Sequence, residues 1–331
     1  MLAALSTEVG PSDTIQICDI EPPRAASDEV IVEVAATALN FMDTLIIRDR
    51  YQVKPPRPFS PGAECAGRIV EVGEAVTEFQ VGDRVCAYVG HGAARARIAV
   101  KEAALVRIPD KVTMDQAAAV ITTYGTVVYA FRDRAFLSKG ETLVVTGTSG
   151  GVGSAAIELG QLFGARVIAC AKGDDKMAEL RAQGVDLFVD PDSDNVKGAV
   201  RSLTNDVGAD VVLDVTGGEL TEQLVRATAW GGRYLVVGFA SGPIPRLPLN
   251  LVMLKSIDVM GIHWSAWAQR DRPGYRRLTE WLLAQVAHRR LSPRIDARYP
   301  LERIGDALSS IENRNVKGKV VITFDSAAEI Q

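Results

Sequence analysis

A glycine-rich turn between two apolar runs constrains the fold of this chain more than any other feature. Residues 142 to 176 begin with the apolar run 143 to 145, and four glycines follow within residues 147 to 153. Apolar side chains then recur at helical spacing up to Phe163, and a second apolar run covers residues 167 to 169. This order predicts a βαβ unit whose helix N-terminus can hold a pyrophosphate. The turn residues assigned to the cofactor are Gly147, Ser149, Gly150, Gly151, Val152 and Gly153.

The turn departs from the usual G-x-G-x-x-G pattern. Counting back from Gly153 and Gly150, the first glycine position holds Thr148, and an extra glycine, Gly147, stands one residue earlier. Glycines alone are weak evidence, because many turns need them. The flanking strand and helix therefore carry the prediction of a dinucleotide site.

The end of the second strand favours NADP(H) over NAD(H). An NAD site carries an acidic residue about 20 positions on, which bonds the ribose 2′-hydroxyl. Here Ala171 is followed by Lys172, and Lys176 lies one helical turn further. Both lysines can attract a 2′-phosphate. Two alternatives stay open: they are ordinary solvated lysines, or Asp174 and Asp175 compete for them.

Composition limits the class of protein. The chain has 331 residues, 47% of them apolar and 24% charged, which suggests a globular protein of two domains. Its net charge is −4, and no dense basic cluster marks a nucleic-acid surface. Neither an apolar run of about 20 residues nor a leader pattern is visible, so we expect no membrane span and a cytoplasmic location. Four scattered cysteines fit reduced thiols there.

The first 120 residues favour strands. Residues 15 to 18 and 29 to 35 alternate apolar and polar side chains, which predicts an antiparallel sheet solvated on one face. A helical turn with Asn40 near its cap follows, and residues 61 to 73, 81 to 89 and 95 to 100 alternate again. These short segments predict a β-rich, barrel-like domain.

From residue 114 the pattern changes to alternating helices and strands. After a helix over 114 to 131 and the βαβ unit, we predict helices at 176–183, 196–203 and 220–229 and strands at 187–189, 211–215, 233–237 and 258–261. A helix at 275–287 and a strand at 319–324 close the chain. The alternation predicts an α/β fold with a doubly wound parallel sheet of Rossmann type.

Several motifs in this order resemble the medium-chain dehydrogenase/reductase superfamily, and within it the zinc-free quinone oxidoreductase, or zeta-crystallin-like, branch. Besides the glycine turn they are LNFMDTLIIRDRY (39–51), PGAECAGRIVEVG with VGDRV (61–85), TYGTVVYA (123–130), GARVIA (164–169), GGRYLVVGFASG (231–242) and VKGKVVI (316–322). The resemblance implies a GroES-like β-rich catalytic domain over 1–122, a Rossmann NADP(H)-binding domain over 123–262, and a return to the catalytic domain over 263–331.

The resemblance also implies a homodimer that uses NADPH to reduce a quinone or another conjugated carbonyl compound. Two alternatives stay open: an enoyl-thioester reductase of the same superfamily, and an NADPH-binding or structural protein with little turnover.

The zinc ligands of the superfamily are missing from this sequence. Zinc-dependent members carry a cysteine near Asn40 and a G-H-E motif where this chain has Gly62, Ala63 and Glu64. The three histidines show no ligand spacing. We therefore predict no metal site and an acceptor that is already activated by conjugation.

Further site residues follow from the resemblance alone. Asn40 and Thr126 resemble the residues beside the nicotinamide, although each is otherwise an ordinary cap or turn residue. Phe239 and Ala240 match the loop that meets the carboxamide. Asn40, Thr126 and Tyr51 are the candidate catalytic residues.

Two more positions concern the phosphate and the acceptor. Lys176 matches the lysine that binds the 2′-phosphate, and Arg314 resembles an arginine that assists it, but Pro191 replaces a tyrosine found there in relatives. Tyr51 matches a tyrosine near the substrate, whereas its usual companion is Leu45 here, which leaves water as an alternative proton source. The aromatic residues Trp264, Trp267 and Tyr275 either line an apolar pocket or pack in a core.

Overall fold

The structure is a computed structural model that describes residues 1 to 324. These residues divide into two compact units. The first unit comprises Met1–Gly125 and the described residues from Ser265 onward, and the second comprises Thr126–Trp264. The first unit is therefore built from two stretches of chain that flank the second unit in sequence.

The elements alternate as the sequence patterns indicate. The chain begins with β1 (Leu2–Leu5), β2 (Gln16–Asp19), β3 (Glu29–Leu39), α1 (Phe41–Ile46), β4 (Glu64–Val72), β5 (Arg84–Tyr88), β6 (Arg97–Lys101), β7 (Leu105–Arg107) and α2 (Met114–Val128). It continues with β8 (Thr142–Val145), α3 (Gly151–Leu162), β9 (Arg166–Cys170), α4 (Asp174–Ala182), β10 (Leu187–Val189), α5 (Val196–Leu203), β11 (Ala209–Asp214), α6 (Leu220–Ala227), β12 (Thr228–Val236), α7 (Leu249–Lys255) and β13 (Asp258–Gly261). The remaining elements are α8 (Trp264–Arg270), α9 (Arg272–Ala287), β14 (Ile295–Pro300), α10 (Ile304–Glu312) and β15 (Lys319–Thr323).

The first unit contains a seven-stranded sheet in the order β14, β15, β3, β4, β5, β7, with β6 also paired to β3. Strand β15 pairs antiparallel to β3, so that Val320 lies opposite Leu39 although 281 residues separate them. Apolar side chains of β3, β4, β5, β15 and α10 form its core. The GroES-like domain is thus completed by the last described strand.

One prediction for this unit is wrong. Strands β2 and β3 do not share a sheet, because β2 pairs only with β1 among the described strands. Over residues 29 to 35 the predicted alternation is found, since Val30, Val32 and Val34 are buried whereas Glu29, Glu33 and Ala35 are partly exposed. The rest of β3, residues 36 to 39, is buried on both faces.

The second unit is a parallel six-stranded sheet in the order β10, β9, β8, β11, β12, β13. This order confirms the Rossmann prediction, because the strand sequence reverses between β8 and β11, where doubly wound sheets bind dinucleotides. Several boundaries differ from those predicted, with the largest shift at the start of β12. Strand β12 starts at Thr228, where it already pairs with Ala209, and the stretch before β13 includes α7.

Within residues 1 to 324, no helix combines the length and the apolar character that crossing a membrane requires.

Candidate functional site

The glycine turn of the second unit follows β8 and is closed by contacts that only glycine permits. Gly147 has a φ of +63°, which disfavours other residues. A Cβ on Gly153 would lie 2.1 Å from the carbonyl oxygen of Gly147, so helix α3 packs directly on the turn. Ser149 and Val152 are half-buried on the same turn. The backbone N–H groups at the start of α3 are therefore not covered by bulky side chains at these positions.

Thr148 explains the departure from the glycine pattern. Its side chain is buried, and its hydroxyl donates a hydrogen bond of 3.2 Å to the carbonyl oxygen of Cys170 at the end of β9. The threonine thus ties the turn to the neighbouring strand.

A buried carboxylate, Asp214 at the end of β11, organises the adjoining loops. Its two oxygens accept six hydrogen bonds of 2.6 to 3.1 Å. The donors are the hydroxyls of Thr146, Thr216, Thr221 and Tyr234 and the backbone N–H groups of Thr216 and Gly217. Asp214 therefore connects the end of β8, which leads into the glycine turn, to the loop after β11.

The loop after β12 contains Phe239 and Ala240, which the sequence assigned to the carboxamide. The N–H of Ala240 donates to the carbonyl of Val215 at 3.0 Å, and the next N–H, of Ser241, donates to Thr216 at 2.9 Å. The loop is therefore held against the loop that Asp214 organises.

The two lysines assigned to the 2′-phosphate follow β9 and differ in environment. Lys172 is exposed and donates a 2.7 Å hydrogen bond to Asp192, which raises its pKa. The partner of Lys172 is thus Asp192, and not Asp174 or Asp175, which were expected to compete for it. Lys176 is half-buried, and burial lowers its pKa. To bind a phosphate, Lys172 would have to give up Asp192, whereas Lys176 has no carboxylate within salt-bridge distance among the described residues.

In the first unit, Asn40 precedes helix α1 and is 8% exposed. Its backbone N–H donates to Asp43 Oδ2 at 2.7 Å, and the other oxygen of Asp43 accepts from the N–H of Gly62 at 3.0 Å. Asp43 therefore ties the start of α1 to the Gly62 segment. The side chain of Asn40 also has two partners outside α1.

Those partners are two buried charges that the sequence analysis did not identify as site residues. Asn40 Nδ2 donates to Glu64 Oε1 at 2.8 Å, and Asn40 Oδ1 accepts from Lys319 Nζ at 2.6 Å. Lys319 also pairs with Glu64 Oε1 at 2.8 Å. Because 255 residues separate Glu64 from Lys319, no local pattern links them. The local signals were a charged residue at the start of each apolar strand and, for Glu64, its place in the segment that matches the G-H-E motif.

Tyr51, the candidate proton donor, is half-buried and shares the hydroxyl of Ser265 with Tyr88. Burial raises the pKa of both phenols. Tyr51 is therefore protonated at neutral pH and able to donate a hydrogen bond. Tyr275 is fully buried, and its hydroxyl accepts from the N–H of Tyr88 at 2.9 Å, so it is a core residue and no pocket wall.

The other candidates divide between the units. Asn40, Tyr51 and Arg314 belong to the first unit, and Thr126, the glycine turn, both lysines, Phe239 and Ala240 belong to the second. Thr126 is 9% exposed in helix α2, four residues after Thr122. Arg314 follows α10 with a φ of +57°.

A pH-dependent stability should follow from Asp43. Burial raises its pKa to about 6, although the N–H groups of Asn40 and Gly62 and the charge of Lys319 oppose the shift and Glu64 adds to it. An unfolded aspartate has a pKa of about 3.9. The folded state therefore holds a proton that the unfolded chain releases, and stability falls as the pH rises from about 4 to about 6.

Asp43→Asn should remove this component. The loss of unfolding free energy between pH 4.5 and pH 7 should be about 2 kcal/mol smaller in the variant than in the wild type, measured by urea unfolding. The exposed Asp13→Asn is the control and should keep the wild-type slope. Identical pH dependence in Asp43→Asn and the wild type would contradict the prediction.

Comparison with known proteins agrees with this architecture. The alcohol dehydrogenase GroES-like domain family matches residues 26–110, and the zinc-binding dehydrogenase family matches residues 151–282. Quinone oxidoreductase-like protein 2 of Rattus norvegicus is 34% identical over 323 residues, which are 97% of this chain and 92% of the relative.

Two solved structures superpose on nearly the whole chain. The quinone oxidoreductase of Pseudomonas syringae pv. Tomato DC3000 has a TM-score of 0.90 and 28% identity, covering 97% of this chain and 99% of that one. A mycobacterial protein crystallised with NADPH has a TM-score of 0.90 and 25% identity, covering 98% of this chain and 100% of that one.

The GroES-like unit, the Rossmann unit and the glycine turn define an oxidoreductase that uses a nicotinamide dinucleotide. The chain belongs to the medium-chain dehydrogenase/reductase superfamily, in its zinc-free quinone oxidoreductase branch. Despite the name of the second matching family, residues 1 to 324 contain no group of three or more His, Cys, Asp or Glu side chains that could hold a metal ion.

Proposed function

We propose that this protein is an NADPH-dependent, zinc-independent reductase of quinones or other conjugated carbonyl compounds. The observation that carries the proposal is the turn of the second unit, where Gly153 packs on Gly147 and two lysines follow the next strand with no carboxylate at Ala171. When bound, the cofactor supplies the hydride from its nicotinamide ring.

Residues of the second unit, with Arg314, bind the cofactor in this proposal. The N–H groups at the start of α3 hold the pyrophosphate, because a helix N-terminus attracts anions and the glycines at 147 and 153 let the turn pack directly on the helix. Lys176, Lys172 and Arg314 bind the 2′-phosphate, and backbone groups of Phe239 and Ala240 meet the carboxamide. The Asp214 hydrogen bonds keep these loops in place before the cofactor arrives.

Three further residues act on the reacting end in this proposal. Asn40 and Thr126 seat the nicotinamide, and Tyr51 donates a hydrogen bond to the acceptor. Conjugation spreads the charge that develops on the acceptor to a distant oxygen, so the site needs position and a few donors and no Lewis acid. The proton comes from water or from Tyr51.

A substrate screen tests this proposal. NADPH absorbance is followed with quinones, enones, enoyl thioesters, simple ketones and alcohols, with and without a chelator. We expect turnover of quinones or enones, no effect of the chelator, and less than about a tenfold loss for Tyr51→Phe, because the phenol contributes one hydrogen bond. Activity restricted to alcohols or ketones, or lost with the chelator and restored by zinc, would overturn the proposal.

Cofactor preference gives a separate prediction. Lys176→Ala should raise the dissociation constant of NADPH roughly 10- to 150-fold, because a charge-assisted contact to the 2′-phosphate is lost. The constant for NADH should stay within about twofold of the wild type, since NADH lacks that phosphate. Fluorescence titration measures both, with the exposed Lys197→Ala as the control. Equal losses for both cofactors would show that Lys176 is structural.

We also propose that the protein is a homodimer formed through the edge of the second sheet. Strand β13 pairs with β12 and with no other described strand, and the helix before it leaves Leu249, Met253 and Leu254 at least 67% exposed. Sedimentation should therefore give a dimer at micromolar concentration, and Met253→Glu with Leu254→Glu should give a monomer. Val81→Glu, at an exposed apolar residue of the first unit, is the control. A monomeric wild type would refute the dimer.

A cytoplasmic location is proposed as well. It is supported by the four cysteines, all of which carry free thiols in the structure. Cell fractionation tests it.

A further inference from the structure

The carboxamide of Asn40 is held at both ends by charged side chains. Its oxygen accepts from Lys319 Nζ at 2.6 Å, and its nitrogen donates to Glu64 Oε1 at 2.8 Å. An ammonium group only donates and an ionised carboxylate only accepts, so these contacts determine which end of the amide is oxygen and which is nitrogen. Charge thus fixes the orientation of Asn40.

Lys319 uses its whole hydrogen-bonding capacity for this purpose. Its side chain is 3% exposed, and Nζ donates to Leu39 O at 3.1 Å, Asn40 Oδ1 at 2.6 Å and Glu64 Oε1 at 2.8 Å. An ammonium group has three N–H bonds, so none remains. Lys319 cannot turn toward a ligand without breaking one of these contacts, and it therefore acts on Asn40 and not directly on substrate.

Glu64 extends the same network to helix α2. It is fully buried, and its second oxygen accepts from the backbone N–H of Thr122 at 2.6 Å. Thr122 stands four residues before Thr126 in that helix, so one carboxylate fixes the Asn40 side chain and the backbone of the segment that leads to Thr126.

Stability alone does not account for such a pair. A buried ion pair is weak evidence for stability, because apolar residues of similar volume often replace one without loss, whereas fixing one arrangement is a documented role. The contacts of Asn40 within residues 1 to 324 occupy its oxygen and one N–H of its amide. The amide nitrogen carries two N–H bonds, so the second is left for a ligand.

We propose that Lys319 and Glu64 are positioning residues that hold the Asn40 carboxamide in the orientation in which its second N–H meets the nicotinamide end of the cofactor. This inference rests on the proposed function, since it takes Asn40 as a nicotinamide contact. It adds two residues that touch neither cofactor nor acceptor and that govern the reaction through Asn40.

A mutant cycle separates positioning from a structural role. The pair variant Lys319→Met with Glu64→Gln removes both charges at once, so that neither member of the pair is left buried without the other. It is compared with Asn40→Ala and with the triple variant that carries all three changes. The readouts are turnover with the best acceptor found for the wild type, the NADPH dissociation constant, and the fluorescence yield of bound NADPH, which reports how firmly the nicotinamide is held.

The pair variant should lower turnover roughly 10- to 100-fold, because a small misplacement at the reacting end is sufficient for such a loss. Bound NADPH should become dimmer, toward the yield of free NADPH, while its dissociation constant changes less than about threefold because the phosphate contacts are intact. The triple variant should be no slower and no dimmer than Asn40→Ala within about twofold, since Lys319 and Glu64 act only through that residue.

Losses in the triple variant that equal the product of the two separate losses would overturn the proposal, as would a pair variant with wild-type turnover and fluorescence. The control is Arg233→Met with Glu141→Gln, which removes a partly buried ion pair of 2.7 and 2.9 Å that contacts none of the three residues. This control should leave turnover and the fluorescence yield of bound NADPH unchanged per folded molecule. If the pair variant does not fold, Glu64→Gln alone enters the same cycle.

Failure of the proposed function is visible in the wild type before any variant is compared. A wild type that binds NADPH but reduces no acceptor refutes the acceptor chemistry, and the fluorescence cycle still decides the role of Lys319 and Glu64. A wild type that binds no nicotinamide cofactor refutes both.

Discussion

Asp214→Ala should lower the free energy of unfolding by about 3 to 5 kcal/mol, because several buried donors lose their acceptor at once. The carboxylate accepts six hydrogen bonds, four from hydroxyl groups and two from backbone N–H groups. Each buried donor left without a partner costs about 1 to 3 kcal/mol, and relaxation or entering water recovers part of the sum. Urea unfolding of the purified variant measures the change.

The same variant should bind NADPH at least about tenfold more weakly, because the loops around the glycine turn lose their common anchor. Tyr234→Phe is the matched control, since it removes one of the six donors and keeps the buried ring. It should cost about 1 kcal/mol. Equal destabilisation by the two variants would mean that Asp214 is one ordinary hydrogen-bond partner and no organising residue.

Among glycine-to-alanine substitutions in the second unit, Gly153→Ala should lower the free energy of unfolding the most. The added Cβ would lie 2.1 Å from the carbonyl oxygen of Gly147, and the opposing atom belongs to the backbone, so helix α3 or the turn must move. We expect a loss of about 2 to 3 kcal/mol in unfolding free energy and a rise of at least about tenfold in the NADPH dissociation constant.

Gly150→Ala provides the control for stability. Gly150 has φ −79° and ψ 170°, which any residue adopts, and a Cβ there would meet its nearest atom at 3.6 Å. Its unfolding free energy should stay within about 0.5 kcal/mol of the wild type. If thermal and urea unfolding of the two variants coincide, close packing of α3 on the turn is not what requires glycine at position 153.

Local patterns were sufficient for the second unit. The predicted strand 187–189, helix 196–203 and strand 258–261 match β10, α5 and β13 residue for residue, because each apolar run is bounded by polar or glycine residues and pairs with a near neighbour in sequence. Helix α7 was missed, because its exposed apolar residues resemble a strand run more than an amphipathic helix.

The first unit was harder to predict for a physical reason. Strand β15 was recognised as a strand, but its pairing with β3 joins residues about 280 positions apart, and no local signal specifies such a partner. The same holds for the site. Motifs indicated Asn40, whereas its partners Glu64 and Lys319 come from two other strands and meet only in the folded sheet.

The discontinuity of the first unit has a consequence for biosynthesis. The second unit is one continuous stretch, Thr126–Trp264, so a growing polypeptide can complete it as soon as that stretch has left the ribosome. The first unit must wait for strand β15, which covers one side of β3 and brings the lysine that neutralises Glu64. Until then a nascent chain carries an open sheet edge and an acidic side chain with no cation beside it. The domain that begins first in translation therefore matures last, and a ribosome that stops before residue 319 releases a chain with a finished Rossmann unit and an incomplete catalytic one.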